Sequence, residues 1–426
     1  MFIVIVLGAL LGFPLFLLLG TITVSLLASD NFSESLSEHL LHFSQLVTDP
    51  IESLSQQDLL LPIPLFTVTG FLLAETGMPK RMLSGTAGLL DTFRIPVRFG
   101  IPAAVLIIAC FFTPLTGASG VTIIALGGLL LPVLVQAGVS EKSAIGLVTA
   151  SGSIGLLIFP SLPVILYGMM SSNQAPINEI YMAGIVPTLL LVLFPFLYLI
   201  SKQTGDVEYS IDFEKLTTQG KRKLFLELLI LPIILFLFFS GKLTVSEIGV
   251  LVFLWYVGLI IFFRELHKEQ ALSAITESFV LVGSMLIILI FAMGMTRYLL
   301  LLEFPQTVFA FISSFISNQW GFLILLNIFL LFVGAFMDIF SAIIVFTPLV
   351  IPLAQGYDIS MVHLAIIVLM NLEIGYLTPP VGINLFLSSF RFKQPISAIV
   401  KSTFPYFVLF VILQLIITYV PLVLLN

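Results

Sequence analysis

The sequence predicts an all-α polytopic membrane protein with an inverted structural repeat, two re-entrant helical hairpins and two broken helices. Three observations support this fold class. The chain of 426 residues is 59% hydrophobic and only 9% charged, whereas a typical soluble domain has about 25% charged residues. Apolar runs long enough to cross a bilayer recur along the chain. Polar interruptions of similar composition return at a fixed offset. Because the apolar runs are continuous rather than alternating, a transmembrane β-barrel is excluded.

Continuous apolar segments predict the membrane-spanning helices, at 2–27, 60–77, 143–170, 181–200, 224–240, 246–263, 271–297, 361–389 and 402–424. Segment 2–27 lacks a basic start and a small-residue cleavage site, so we interpret it as a retained helix rather than a signal peptide. Two longer apolar blocks, 99–135 and 308–353, are interrupted mid-way by TPLTGASG and GAFMD. Each half is short for a comfortable span, so we expect two hairpins that enter and leave the membrane on one side.

The basic residues predict the orientation of the chain. If the two hairpins add no net crossing, all but Lys242 and Arg297 of the 17 Lys and Arg residues fall on one side. Basic residues concentrate in cytoplasmic loops. We therefore expect a cytoplasmic N-terminus and a periplasmic C-terminus. Segment 28–58 has acidic residues but no Lys or Arg, which places it outside, either as amphipathic surface helices or as a solvated loop.

An internal repeat appears when the second half of the chain is aligned with the first at one constant offset. The shared positions include Pro132/Pro352, Gly155/Gly375 and Pro160/Pro380, together with several Ile and Leu pairs. Five crossings separate the two copies, and because this number is odd the copies have opposite orientations. Inverted repeats with interrupted helices are typical of secondary transporters, which bind substrate where the repeats meet.

The repeat predicts four regions of the chain. Residues 1–59 would form an N-terminal helix and an external segment of the scaffold, and 60–200 the first repeat. Residues 201–270 would form a cytoplasmic loop and scaffold helices, and 271–426 the second repeat. The hairpins lie at 99–135 and 308–353, and the broken helices at 143–170 and 361–389.

Polar and helix-breaking residues mark the predicted binding site, which four interrupted elements should share. Unwound backbone frees carbonyl groups that can coordinate Na⁺, and opposing half-helix N-termini favour an anion. Such backbone is tolerated in a membrane only where it is buried in protein or lines a cavity. The candidates for sodium and substrate binding are Thr116, Gly117, Ser119, Gly120, Ser151, Ser153, Gly155, Pro160, Gly334, Asp338, Ser341, Asn371, Glu373, Gly375, Thr378, Pro379, Gly382 and Asn384.

Each of these residues also has a purely structural interpretation. Small residues let membrane helices pack closely, and Ser or Thr often bonds to its own helix. Asp338 and Glu373 are costly to bury, which favours a functional role, although either side chain could be a structural hydrogen-bond partner. The chain has no nucleotide-binding G-x-x-x-x-G-K-[ST] motif. It has no basic patch for nucleic acid, and its lone Cys110 is consistent with packing.

Several strings of the chain resemble one family of transporters. TGASGVTIIALGGLLLP, TASGSIGLLIFPSLPVILYG, YMAGIVPTLLL and above all NLEIGYLTPPVGINLF are similar to the large membrane subunit of tripartite ATP-independent periplasmic (TRAP) transporters. The resemblance runs from about residue 60 to the C-terminus. It departs from the family at Phe159-Pro160, where paired prolines are usual, and at the first hairpin tip, which is usually richer in serine.

The resemblance implies a Na⁺-coupled importer of an organic acid, such as a dicarboxylate or sialic acid, in the bacterial inner membrane. It implies an elevator movement, a periplasmic substrate-binding protein and a separate small four-helix membrane subunit. Na⁺ would be the coupling ion and no other cofactor is expected. Motif matching implies sodium ligands at Ser119, Ser151, Gly334, Gly375 and Thr378. The alternatives are a stand-alone Na⁺- or H⁺-coupled organic anion transporter and an intramembrane hydrolase that uses Asp338 and Glu373.

Overall fold

The described part of the protein consists of helices joined by short irregular segments. The structure is a computed structural model, and it describes residues 17–22, 25, 44, 48–116, 119–172, 174–202 and 216–425. Most of the predicted segments 2–27 and 28–58 therefore lie outside the described residues. Sixteen α-helices follow Asp58 in the described part, with no β-strand among them.

The helices are numbered here in chain order. They are α1 (Pro62–Glu75), α2 (Met78–Phe93), α3 (Val97–Thr116), α4 (Ser119–Gln136), α5 (Glu141–Ser151), α6 (Leu162–Met170), α7 (Ile177–Lys202), α8 (Thr218–Phe239), α9 (Val245–Phe263), α10 (Lys268–Leu301), α11 (Phe304–Ser313), α12 (Gln319–Phe336), α13 (Ile339–Gln355), α14 (Met361–Gly375), α15 (Ile383–Phe392) and α16 (Ile396–Leu425).

Corresponding helices of the two halves begin and end at positions that differ by the repeat offset, which is the separation of Gly155 and Gly375. Shifting α4 by this offset gives 339–356, and α13 occupies Ile339–Gln355. The same shift carries α7 onto 397–422, and α16 occupies Ile396–Leu425. Both halves have the same order of helices: a hairpin, a broken helix and a long closing helix. The internal repeat predicted from the sequence is therefore confirmed in the fold.

Each predicted broken helix consists of two short helices with an irregular segment between them. Helices α5 and α6 flank residues 152–161, and α14 and α15 flank residues 376–382. Both segments begin with tight turns, in which Ser153 N–H donates to Ala150 O and Thr378 N–H donates to Gly375 O. The X-Pro bonds Phe159–Pro160 and Pro379–Pro380 are both cis, and they occupy corresponding positions of the repeat.

The first helix of each hairpin is long enough to cross a membrane, contrary to the prediction. Helix α3 has 20 residues and α12 has 18. By length and composition, each could cross a membrane. The prediction that every half is short was wrong because α3 continues through Pro114 to Thr116. The hairpin form is nevertheless confirmed, since α3 packs against α4 and Thr113 Oγ1 donates to Thr122 Oγ1 at 3.3 Å.

Two sets of helices pack among themselves, and they meet where α1 contacts α3 and α10 contacts α13. Helix α1 packs against α9 and α10, and α8 packs against α9. In the other group, α12 packs against α14, α4 against α15, and α5 against α16. The second group brings each hairpin against a broken helix, so the interrupted backbone lies within protein, as non-helical backbone in a membrane must.

Candidate transport site

Asn384 joins the two repeats through its side-chain amide. This residue lies near the start of α15 in the second repeat, and its side chain is fully buried. Its Oδ1 accepts a hydrogen bond of 2.8 Å from Ser119 Oγ, and its Nδ2 donates one of 3.1 Å to Ser153 Oγ. One amide therefore binds both the first hairpin and the first broken helix.

Glu373 belongs to the same cluster. Glu373 and Ser153 line the same small cavity, and only 3% of Glu373 is exposed. Among the described residues, its Oε1 has no hydrogen-bond partner. We name Ser119, Ser153, Glu373 and Asn384 the inter-repeat cluster.

A small cavity borders the inter-repeat cluster. Its volume is about 10 Å³, and Ser153 and Glu373 form part of its wall beside Leu191 and Phe410. A space of this size holds about one water molecule. A buried carboxylate is costly unless it is paired with a cation or a hydrogen-bond donor. The cluster therefore has room, oxygen atoms and negative charge for a small cation or a water molecule.

A second cluster forms at the tip of the second hairpin. The backbones of Gly334 and Gly375 touch, because a Cβ atom built on Gly375 would lie 2.6 Å from Gly334 Cα. Gly382 N–H donates to Ala335 O at 3.2 Å, and Ile339 N–H donates to the hydroxyl of Tyr376. These contacts fix the hairpin tip against the second broken helix.

The corresponding contact in the first repeat has a similar geometry. A Cβ atom built on Gly155 would lie 2.7 Å from Pro114 Cδ and 2.8 Å from Cys110 O. Under the repeat offset, Gly155 and Pro114 correspond to Gly375 and Gly334. Both repeats thus press a broken helix directly against the first helix of its hairpin, and on the broken helix only a glycine fits at that crossing.

Carbonyl oxygens converge at Gly382. This residue has a φ of +47°, and a Cβ atom there would lie 2.7 Å from Thr378 O and 3.1 Å from Tyr376 O. Thr378 Oγ1 donates a long hydrogen bond of 3.4 Å to Ile374 O, and the residue is half-buried. We name Tyr376, Thr378 and Gly382 the carbonyl cluster. Its hard oxygen donors are of the kind that Na⁺ prefers.

The two breaks differ in exposure. Pro379 and Pro380 in the second break are exposed, whereas Phe159 and Pro160 in the first are buried. Phe159 stacks on Phe238 with ring centroids 4.3 Å apart, and its ring meets Tyr181 edge-on at 5.2 Å. In this conformation, the second break is therefore open to its surroundings and the first break is covered.

The structure gives several candidates a structural partner. Asp338 is the N-cap of α13, and its Oδ1 accepts from Ser341 N at 3.0 Å. Ser151 Oγ donates to Val148 O at 2.9 Å, within its own helix. Asn371 lies in a different network, where its Nδ2 donates to Asn327 Oδ1 at 2.8 Å and Gln414 Nε2 donates to the same oxygen at 3.0 Å.

The predicted candidates thus fall into distinct groups. One group forms the inter-repeat cluster and another lies around the second hairpin tip, whereas Asn371 donates to Asn327 of α12 instead. Gly120 is buried at the start of α4, where a Cβ atom would lie 2.2 Å from Leu387 Cδ1. Thr116 ends α3, and Gly117 lies outside the described residues. No described group of three or more His, Cys, Asp or Glu side chains could hold a metal ion.

Several residues of the site were not predicted from the sequence. Tyr376 lies inside the NLEIGYLTPPVGINLF string but was not chosen, although its hydroxyl binds the second hairpin. Tyr181 was likewise missed, and its hydroxyl accepts from Ser161 N at 2.9 Å and donates to Ser161 O at 3.0 Å. The available signal was a tyrosine hydroxyl in an apolar run, because such a group needs a partner when it is buried.

Helix ends supply charge to this site. Helices α4, α6, α13 and α15 begin at the tips and breaks, and α3, α5, α12 and α14 end there. Helix N-termini carry partial positive charge and C-termini partial negative charge. The same centre can therefore attract an anion on one side and a cation on another, as in transporters with discontinuous helices.

Comparison with known proteins gives the family. A family model described as the tripartite ATP-independent periplasmic transporter, DctM component, matches residues 1–423. The chain belongs to this family. It is a TRAP large permease, a multi-pass membrane protein of a transporter family and not an enzyme. The family is tripartite, so the permease has partner subunits.

Relatives with different substrates in their names match the TRAP permease. The C4-dicarboxylate TRAP transporter large permease protein DctM of Pseudomonas aeruginosa is 28% identical over 86% of this chain and 85% of its own length. The isethionate TRAP transporter permease protein DctMQ of Oleidesulfovibrio alaskensis is 30% identical over 85% of this chain and 57% of its own length. The sialic acid TRAP transporter large permease protein SiaM of Vibrio cholerae is 26% identical over 84% of this chain and 83% of its own length.

Solved structures share the fold of the TRAP permease. The YdaH transporter of Alcanivorax borkumensis has a TM-score of 0.64 at 15% identity, covering 95% of this chain and 98% of that one. MtrF of Neisseria gonorrhoeae has a TM-score of 0.60 at 13% identity, covering 95% of this chain and 93% of that one. At these identities the likeness concerns the fold alone, and it agrees with the predicted all-α membrane fold.

Proposed function

We propose that the protein imports an organic acid into the cytoplasm together with Na⁺, as the large subunit of a TRAP transporter. A periplasmic binding protein delivers the substrate, and a separate small membrane subunit completes the permease. The observation that carries this proposal is the meeting of two hairpin tips and two broken helices around buried oxygen atoms. The names of the relatives indicate carboxylate or sulfonate substrates.

Sodium fits two places among the described residues. At the carbonyl cluster, Thr378 O and Tyr376 O converge beside the Thr378 hydroxyl. At the inter-repeat cluster, Glu373 lines a cavity with Ser153, beside the Ser119 hydroxyl and the Asn384 carbonyl. The ligands expected from motif matching also include Ser151, Gly334 and Gly375, and for these the backbone carbonyls remain the proposed donors.

The movement that we propose is an elevator movement. The hairpins and broken helices would slide as one body against α1, α8, α9 and α10. The glycine crossings support this division, because they lock each hairpin to its broken helix. The stack of Phe159 on Phe238 lies between the two bodies. Apolar contacts of this kind lack directional hydrogen bonds and so permit sliding.

The arrangement of Asp338 and Glu373 does not support the hydrolase interpretation. Asp338 caps α13 through Ser341, whereas Glu373 lines a cavity with Ser153. The two carboxyl groups thus have different neighbours, and family membership agrees with transport.

Substrate identity is tested by screening carboxylates and sulfonates for binding to the partner binding protein. Each ligand found is then offered to proteoliposomes that contain both membrane subunits, with and without the binding protein. Uptake should require the binding protein. Uptake of a ligand without it would instead support a stand-alone transporter.

The proposed orientation has its own test. Fifteen of 17 basic residues sort to one side only if neither hairpin crosses the membrane. A reporter fused after Asn426 should therefore be periplasmic, and one inserted beside Lys221 should be cytoplasmic. Since α3 and α12 are each long enough to span by length, a cytoplasmic C-terminal reporter would show that one hairpin crosses completely.

A further inference from the structure

Three buried amide side chains bind one another beside the transport site. Asn371 Nδ2 donates to Asn327 Oδ1 at 2.8 Å, and Gln414 Nε2 donates to the same oxygen at 3.0 Å. Both nitrogen atoms also donate to the backbone oxygen of Ile367, at 2.8 and 3.3 Å. All three residues are at most 4% exposed. We name Asn327, Asn371 and Gln414 the amide network, which joins α12, α14 and α16.

The acceptors of the amide network decide which way each amide points. If the amide of Asn371 or Gln414 turned over, its oxygen would face the oxygens of Asn327 and Ile367, and no hydrogen bond would form between them. Asn327 Nδ2 donates to Leu323 O at 2.6 Å, which leaves Asn327 Oδ1 as an acceptor. The amide network therefore fits together in one arrangement.

The amide network and the glycine crossing are two contacts between the same pair of helices. On α12, Gly334 follows Asn327 by about two turns, and on α14, Gly375 follows Asn371 by about one turn. Helices α12 and α14 thus meet at an amide pair and at a glycine pair. Glu373 lies between these two contacts on α14. Its position along α14 and its rotation around the helix axis are therefore both constrained.

The rotation of α14 controls where Glu373 points. Residues two apart in an α-helix differ in direction by about 200°, so Asn371 and Glu373 lie on nearly opposite faces. Asn371 binds α12, whereas Glu373 lines the cavity with Ser153. On α16, Phe410 lines the same cavity about one turn before Gln414. A rotation of α14 that moved Glu373 from the cavity would also break the bonds of Asn371.

The two repeats differ at the amide network. Under the repeat offset, the corresponding positions of the first repeat hold no amide and are Ile107, Ser151 and Phe194. The Ser151 hydroxyl donates to Val148 O within its own helix. Under the same offset, Glu373 corresponds to Ser153. The amide network therefore occurs in the repeat whose broken helix carries the carboxyl group.

We propose that Asn327, Asn371 and Gln414 are positioning residues that hold Glu373 in the inter-repeat cluster. This inference rests on the proposed function, in which the inter-repeat cluster binds the coupling ion. A buried polar side chain in an apolar helix interface favours one register, because any other register leaves its polar atoms unpaired. The amide network thus selects the rotation of α14 at which Glu373 borders the cavity. Apolar side chains of similar size would hold the helices together without selecting that rotation.

The test is the Na⁺ dependence of substrate uptake by proteoliposomes that contain both membrane subunits, with the loaded binding protein outside. Asn371→Leu keeps a side chain of similar size but removes its hydrogen bonds. The Na⁺ concentration for half-maximal uptake should rise roughly three- to tenfold, as expected for hydrogen bonds between membrane helices.

His363→Leu is the matched control for this variant. His363 Nε2 lies 3.0 Å from Ile417 O, so the control also removes a polar contact between α14 and α16. This contact lies at the other end of α14 from Glu373. The control should lower the melting temperature about as much as Asn371→Leu does, without changing the Na⁺ requirement. An equal rise in the Na⁺ requirement in both variants would overturn the proposal.

A triple variant guards against a folding artefact. Asn327→Leu, Asn371→Leu and Gln414→Leu together leave no amide of the network unpaired. The melting temperature should therefore be higher than that of Asn371→Leu alone, because replacing all partners by apolar groups removes the penalty of unpaired polar atoms. The Na⁺ requirement should nevertheless stay raised. A return of the Na⁺ requirement to the wild-type value would show that the amide network serves stability alone.

Hydrogen exchange distinguishes failure of this inference from failure of the proposed function. Measured by mass spectrometry on the purified permease, exchange of the backbone amides of 373–382 requires no transport. It should be faster in Asn371→Leu and in the triple variant than in the wild type and in His363→Leu. Wild-type uptake that ignored Na⁺ would contradict the proposed function, and hydrogen exchange would then decide the positioning role. Unchanged exchange in all variants would contradict that role whatever the coupling ion.

Discussion

Gly375 in the second broken helix lies directly against Gly334 of the second hairpin. A Cβ atom on either residue would lie 2.5–2.6 Å from backbone atoms across the contact, and backbone cannot move aside as a flexible side chain can. The crossing fixes the carbonyl cluster, because Tyr376, Thr378 and Gly382 follow Gly375 closely in the chain.

Replacing Gly375 by alanine should separate the hairpin from the broken helix. Overpacking of a tight contact typically costs about 1–3 kcal/mol, so we expect a lower melting temperature and a large loss of substrate uptake. Gly283→Ala is the matched control, because Gly283 lies within α10 and a Cβ atom there meets nothing within 4 Å. The control should be neutral or stabilising by about 0.5–1 kcal/mol. Equal behaviour of the two variants would show that the glycine crossing is not required.

Asn384→Ala should uncouple the two repeats. The amide binds Ser119 and Ser153, and its removal leaves buried polar groups without partners, at a cost of about 1–3 kcal/mol. The variant should lose most of its substrate uptake while its melting temperature falls only modestly, because the inter-repeat cluster is part of the proposed ion site. Ser388→Ala in the same helix removes a buried hydroxyl that has no hydrogen-bond partner in the described structure, so it should be harmless. Comparable losses in the two variants would contradict a specific role for Asn384.

Thr378 provides a test of the carbonyl cluster. Thr378→Val keeps the shape of the side chain but removes one oxygen, and a hydrogen bond to a charged group is worth about 1.5–3 kcal/mol. We therefore expect the Na⁺ concentration for half-maximal uptake to rise roughly ten- to a hundredfold. Thr378→Ser keeps the oxygen and should retain most of the activity. If packing alone mattered, valine would be tolerated and serine mildly harmful, so wild-type Na⁺ dependence in the valine variant would exclude this ligand.

The elements that depend on local chemistry could be predicted from the sequence. Proline and glycine disrupt helices through their own backbone properties, so the breaks at 152–161 and 376–382 could be located from the residues alone. The repeat could also be found, because Gly155/Gly375 and Pro160/Pro380 share one offset. Glu373 could also be predicted as a site residue, since a buried carboxylate at a break needs partners from neighbouring elements.

What could not be predicted depends on how helices approach one another. The stack of Phe159 on Phe238 pairs residues from distant helices in a chain with 40 phenylalanines, and nothing in the composition selects that pair. Asn371 occupies the same apolar helix as Glu373, yet packing against α12 and α16 takes its amide to Asn327. The continuation of α3 past Pro114 also depends on packing. Proline disfavours the interior of a helix, so the local sequence alone predicts that α3 ends earlier.

The central claim is that a Na⁺ gradient drives uptake at the meeting point of the two repeats. The most direct measurement is uptake of the substrate by proteoliposomes that contain both membrane subunits, with the loaded binding protein outside. An inward Na⁺ gradient should drive accumulation without ATP, and dissipating that gradient should abolish it. Accumulation driven equally well by a proton gradient in the absence of Na⁺ would contradict the claim, and it would make Glu373 a proton carrier rather than part of a sodium site.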